Sequence, residues 1–223
     1  MKYFGFTLVE DVMHVNTLPK HCKIAFTLAE VLVTLGIIGV VAALTVPTLM
    51  QNHQRKVYSV QAQKVYTEIS QAAIKKITDS NAVNLREARM IHDESYSKEG
   101  EFLKTYFKWV KDCGTTITPC FASEYDGLSA YNGAKIALQN KYAISLASGA
   151  AIALEIKNAS NNHILIFDVD TNGAQGPNIK CRDLFSFGVN LDGSISNSYG
   201  GCLQVLMKHG WQMDESYDTE VDT

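Results

Sequence analysis

The chain has 223 residues, room for one moderate domain with an appendage or for two small domains. Its 46% hydrophobic content is that of a globular protein, and a net charge of −3 leaves no basic field to recommend nucleic acid as a partner. These averages conceal one asymmetry. No charged residue occurs from Val31 to Met50, and a helix of that length, rising about 1.5 Å per residue, crosses a hydrocarbon core roughly 30 Å thick. Nothing later in the chain is comparable, so one membrane span with a water-soluble remainder is expected.

Two strings of one form open the chain. Gly5-Phe6-Thr7-Leu8-Val9-Glu10 is followed by Asp11, His14, Asn16 and Pro19, so no span can begin there. Ala25-Phe26-Thr27-Leu28-Ala29-Glu30 leads directly into the apolar run. By hydropathy alone the run reads as a secretory signal, with Lys20, His21 and Lys23 as its basic region and cleavage after Ala42-Ala43, or as an uncleaved anchor. Glu30 changes that weighting, because an ionisable group at the mouth of a span is costly and marks a functional site by default.

A basic leader, a small residue, Phe-Thr-Leu-x-Glu and then about twenty apolar residues is the order in which precursors of type IV pilins and type II secretion pseudopilins begin. Residues 23 to 56 resemble that segment through Lys23, Ala25, Phe26, Thr27, Leu28, Glu30 and the run from Val31. Ala25 departs from the glycine usual in the family. The resemblance implies a cytoplasmic leader (1–25), cut between Ala25 and Phe26 by a prepilin peptidase that also N-methylates Phe26. It implies a transmembrane and assembly helix (26–50) that polymerises with homologous subunits in membrane lipid. There the Glu30 carboxylate would meet the freed amine of a neighbour, and pairing offsets the cost of a buried charge in one stagger only. The competing reading of Glu30 is a side chain that snorkels at the headgroups. Pro47 falls where many pilins carry a helix-bending proline. Gly36 and Gly39 are poor helix formers that would let the helix extend, or simply small residues that let membrane helices approach.

Past Pro47, Tyr58, Ala62, Val65, Ile69, Ala73 and Ile77 form one apolar stripe, which predicts an amphipathic continuation of the helix over 51–80. Ser97 to Lys111 reads as a shorter helix with Phe102, Tyr106, Phe107 and Val110 on one face. Tyr142, Ile144 and Leu146, the turn Ser148-Gly149, and Ile152, Leu154 and Ile156 form a hairpin signature. His163 to Val169 is a more continuously apolar strand, and Asp183 to Val189 alternates again. The expected fold is α+β, with a long helix on an antiparallel sheet of three or four strands and a pilin-like domain over 81–213. The final stretch, 214–223, carries five acidic groups and is expected to be disordered.

Five cysteines suit an oxidising compartment poorly, but cleavage after Ala25 removes Cys22 and leaves four. Pairing Cys113 with Cys120 and Cys181 with Cys202 is expected, although four cysteines allow three connectivities. A zinc site is the rival, without a C-x-x-C knuckle to support it. No motif of hydrolase, kinase, metalloprotease or dinucleotide enzymes occurs, and an enzyme is not expected. Asp168-Val-Asp170-Thr-Asn172-Gly173 matches the first half of an EF-hand loop, but the twelfth position is Ile179. Asp183 would substitute only if the chain folded back. Some pseudopilins bind calcium in a loop of this region, and FDVDTNGAQGPN resembles it; an Asp/Asn/Gly turn leaving a strand is the alternative.

The reading is therefore a structural filament subunit in the inner membrane, with its C-terminal domain in the periplasm and no cofactor beyond the calcium candidate. The alternatives are a membrane-anchored monomeric binding domain and a secreted calcium-binding domain.

Overall fold

Thr27 caps the first element and Glu30 reaches back to it. The backbone N–H and the hydroxyl of Thr27 both donate to Glu30 Oε2 at 2.8 Å, while the Glu30 N–H donates to Thr27 Oγ1 at 3.2 Å. This is a capping box, which satisfies N–H groups that the first helical turn leaves without partners. From it runs α1 (Leu28–Asp79), with Pro47 inside it. The computed structural model describes residues 27–127, 134–158, 163–197 and 202–221. The leader, the Ala25–Phe26 junction and Cys22 lie outside the described residues.

The chain divides into two units, Met1–Val46 and Pro47–Thr223. In the described part of the first unit, apolar side chains face outward all round the helix, from Leu28 (81% exposed) to Leu44 (72%). The helix is long and apolar enough to cross a membrane.

In the second unit the helix is amphipathic. Ala62, Val65, Ile69, Ala72 and Ala73 are buried, and Tyr58 and Ile77 pack partly against the same core. They face a six-stranded antiparallel sheet of order β1-β4-β5-β6-β7-β8. Its strands are β1 (Trp109–Gly114), β4 (Tyr142–Leu146), β5 (Ala151–Ile156), β6 (His163–Asp170), β7 (Leu184–Asn190) and β8 (Ile195–Asn197). The α+β architecture is thus a long helix packed on a small antiparallel sheet. Each large aliphatic or aromatic side chain fully buried between them contributes roughly 1.5–3 kcal/mol. Tyr66 sets its ring edge-on to Phe187 and Trp211.

The β4–β5 turn is the one expected at Ser148-Gly149. Gly149 has φ +92°, which glycine adopts without the Cβ penalty, and its N–H donates to the Leu146 carbonyl. Ile152 and Leu154 face the helix, as alternation predicts, yet Ala151 and Ala153 are equally buried in a second cluster with Cys120, Phe121, Tyr125 and Leu184. The second face is covered by described residues between β1 and β4, among them Phe121, Tyr125, Ile136 and Leu138, which include the small hairpin β2 (Tyr125–Asp126) and β3 (Lys135–Ile136) and are pinned by the Cys113–Cys120 disulfide.

Three expectations are corrected. The sheet has six strands rather than three or four, because β1 and the short β8 pair along its two edges. The helix predicted over 97–111 ends early: α2 is Ser97–Tyr106, Phe107 is extended, and Trp109–Gly114 pairs with β4 as an edge strand. Val110, assigned to the buried face, is 64% exposed. Pairing with β4 satisfies a row of backbone groups that a further helical turn could not reach. The tail predicted to be disordered forms α4 (Glu215–Val221) against α3 (Cys202–Lys208). Asp214 caps it through the Tyr217 N–H at 2.9 Å. The Tyr217 side chain is wholly buried, with its hydroxyl donating to the Cys181 carbonyl at 2.7 Å. Arg55, Arg182 and Lys208 meet the acidic groups that composition alone reads as repulsive.

Candidate functional site

At the head of the apolar segment, Glu30 is the sole acid from Leu28 to Met50. Its local partner is Thr27, so the side chain closes the helix start as well as carrying a charge. The T-x-x-E spacing announces that role in the sequence, where the resemblance alone does not. Other polar groups of the apolar segment are satisfied within the helix: Thr34 Oγ1 donates to the Val31 carbonyl and Thr45 Oγ1 to that of Val41. Such bonds are needed where no water competes for backbone or hydroxyl groups. Gly36 and Gly39 have open space where a Cβ would stand. Pro47 lacks the N–H that would bond four residues back, which leaves the Ala43 carbonyl without its helical donor.

The cysteines meet as expected, Cys113 with Cys120 at a Cα separation of 6.1 Å and Cys181 with Cys202 at 5.3 Å. Both separations lie in the range a disulfide spans.

The EF-hand-like string divides between two sets of partners. Asp168 Oδ2 lies 2.8 Å from Lys141 Nζ, and Asp168 Oδ1 accepts from the Ser186 hydroxyl. Asp170 instead accepts from the Tyr125 hydroxyl and, through Oδ1, from the Asn172 N–H. Asn172 Nδ2 donates to the Gly176 carbonyl, tightening the turn. The chain does fold back: the N–H groups of Asn178 and Ile179 each donate to Asp183 at 2.7 Å. Asp183 therefore joins Asp170, and Asp168 is committed elsewhere. Ile179, at the twelfth position, serves by its backbone. No group of three or more His, Cys, Asp or Glu is placed to hold a metal ion among the described residues. As an EF-hand the donor set does not fit.

Asp170 and Asp183 are both fully buried. Burial raises the Asp170 pKa to about 7, with the charge of Asp183 adding to the effect. Burial also raises Asp183, against the four backbone N–H groups that favour its charged form. In the same loop, Thr171 Oγ1, Asn172 Oδ1 and Asn178 Oδ1 are buried oxygens without a hydrogen-bond partner among the described residues.

A second polar cluster lies on the sheet face away from α1. Lys141 is 7% exposed and Asp168 4%, and Glu155 Oε2 stands 3.5 Å from Lys141 Nζ. Burial works against the Lys141 ammonium, but Asp168 and then Glu155 outweigh it and hold its pKa above the ordinary value. Lys157 pairs with Glu155 in turn. Lys180, whose pKa burial lowers, also feels the Asp168 charge. Sequence reasoning does not find this cluster, because it depends on the register of three strands. Comparison with protein-family models, with curated proteins and with solved structures returns no match.

Proposed function

We propose that this chain is a pilin or pseudopilin: a filament subunit made as a precursor, cleaved and N-methylated at Phe26, then polymerised through its N-terminal helix. The observation that carries the reading is a helix apolar on every side from Val31 to Met50, headed by one carboxylate within the string Ala25-Phe-Thr-Leu-Ala-Glu30. Apolar surface of that extent needs lipid or the same helix of other subunits to cover it. A carboxylate at its head gains a partner when a neighbour's new amine arrives, which an inert anchor does not require. The folded part beyond Pro47 supports the reading by architecture alone: an amphipathic helix against an antiparallel sheet, with two disulfides suited to a periplasmic location. The partners are then a prepilin peptidase, homologous subunits and membrane lipid.

The test is the N-terminal mass of the protein recovered from membranes of cells that carry a prepilin peptidase. The expected species begins with N-methylated Phe26 and has no free thiol before reduction, since Cys22 leaves with the leader. A mature N-terminus at Phe6 or Leu44, or retention of Met1, refutes it.

One observation favours a second reading, a binding domain whose loop takes a divalent cation. Asp170 and Asp183 are buried acids that accept from Tyr125, Asn172, Asn178 and Ile179, beside three oxygens that have no hydrogen-bond partner among the described residues. Oxygen donors of that kind suit calcium, with Asp183 in place of Asp168 in the ligand set.

A further inference from the structure

The cluster around Lys141 is built for a reaction between its own members. Lys141 precedes β4, Glu155 stands on β5 and Asp168 on β6. Tyr142 pairs with Leu154 and Ala153 with Asp168, so Lys141, Glu155 and Asp168 fall on one face of the sheet, with the small Ala153 directly opposite Asp168. Ala143 and Ala151 keep the surroundings small and apolar. The amine nitrogen lies 2.8 Å from one carboxyl oxygen of Asp168, and the Ser186 hydroxyl donates to the other. A second carboxylate waits at 3.5 Å from the same nitrogen. Nucleophile, polarised carbonyl and proton acceptor are therefore in contact and nearly sealed from water.

We propose that Lys141 and Asp168 condense into an intramolecular amide cross-link, with Glu155 carrying the proton. The resting pair is ammonium and carboxylate. One ammonium proton moves to the Asp168 carboxylate and a second passes to Glu155 as the nitrogen attacks Cγ of Asp168. The new C–N bond forms, Glu155 returns its proton to the departing carboxyl oxygen, and that oxygen leaves as water. Three hydrogens and two oxygens enter, and the amide N–H, the carbonyl and one water leave. Nothing is oxidised or reduced, and Glu155 is regenerated.

Two arguments favour closure over a permanent ion pair. Reacting groups held together in a well-oriented contact behave as if at effective concentrations on the order of 10⁵–10⁸ M, and the burial of Lys141 and Asp168 keeps out most of the water that would hydrolyse the product. Closure also removes two charges from a site where their desolvation is costly. Glu155 keeps Lys157 as its partner after closure.

The test is the intact mass of the full chain, purified from membranes in detergent, fully reduced and denatured. The expected mass is lighter by one water than that calculated for the same N-terminus. Proteolysis is expected to yield a branched peptide joining Lys141 to Asp168 that survives reduction. Lys141→Arg, which keeps the charge, and Glu155→Gln, which keeps the shape, are each expected to restore the full mass. Wild-type protein of full calculated mass with separate peptides overturns the proposal outright, whatever the variants do. A branch at Lys180 instead of Lys141 also overturns it. Unchanged cross-linking in Glu155→Gln overturns the role of Glu155. None of these outcomes depends on filament assembly.

Discussion

The protonation of Asp170 is coupled to folding. Its carboxyl is fully buried, faces the buried Asp183, and has a folded pKa of about 7. In an unfolded chain an aspartate titrates near about 3.9. The folded state therefore binds the proton more tightly, and between about pH 4 and about pH 7 it holds a proton that the unfolded state has lost. Stability from this group is largest below about pH 4, declines as pH rises through that window, and levels off above about pH 7. The total is on the order of 4 kcal/mol at most. Asp183, shifted in the same direction by burial, adds to the slope. Urea midpoints of the detergent-solubilised chain at about pH 5 and about pH 8 should differ accordingly. Asp170→Asn, which cannot ionise, should narrow that gap, and an unchanged gap would exclude Asp170 as its source. Calcium supplies a separate arm: if the second reading holds, millimolar calcium raises the midpoint at the higher pH in wild type and not in Asp170→Asn.

Among the elements, α4 shows how a short helix of poor composition is held. Its first turn is capped by Asp214, Lys208 donates to Glu220 at 2.8 Å, and His209 Nε2 lies 3.0 Å from the same carboxylate. Tyr217 anchors it, with its pKa raised by burial and its hydroxyl on the carbonyl of a disulfide cysteine. Tyr217→Phe should cost about 1 kcal/mol for the lost hydrogen bond. Tyr217→Ala should cost about 3–5 kcal/mol for the cavity as well. Thermal unfolding of both variants checks the order, and equal losses would place the whole contribution in the hydroxyl. Composition hides this helix because acidity and the absence of an apolar stripe are visible, whereas Arg55 and Arg182 come from distant positions. The hairpin around Gly149 and the stripe from Tyr58 to Ile77 are legible for the opposite reason, since both patterns are local. β1 falls between: Phe102, Tyr106, Phe107 and Val110 keep helical spacing, and only pairing with β4 turns Trp109–Gly114 into a strand. The candidate site divides in the same way. Glu30 and its Thr27 cap can be read from spacing, while Lys141, Glu155 and Asp168 meet only once the register is set.

For the whole molecule, the contest is between a subunit that polymerises and a domain that is merely anchored, and Glu30 separates them through two distinct jobs. One job is local: its carboxylate closes the capping box with Thr27. The other belongs to the proposed assembly, where its charge meets the amine of a neighbour's Phe26. Glu30→Ala removes both, so a loss of filaments in that variant alone is ambiguous. Glu30→Gln keeps a side chain that completes a capping box but carries no charge. It also lowers the cost of placing the segment in lipid, so insertion should be equal or better. Leader cleavage should survive in both variants, because neither touches Ala25 or Phe26. If charge pairing sets the stagger between subunits, Glu30→Gln should reduce sheared filaments or secretion about as far as Glu30→Ala does. If only the cap matters, Glu30→Gln should assemble like wild type and Glu30→Ala should not. An inert anchor predicts a third profile, with both variants inserted and no functional loss in either. The measurement is complementation in a strain lacking the native copy, scoring assembled filament or secreted cargo against the cleaved fraction in membranes. Wild-type assembly from Glu30→Gln would remove the charge from the mechanism, and wild-type assembly from both would leave the apolar helix as an anchor alone.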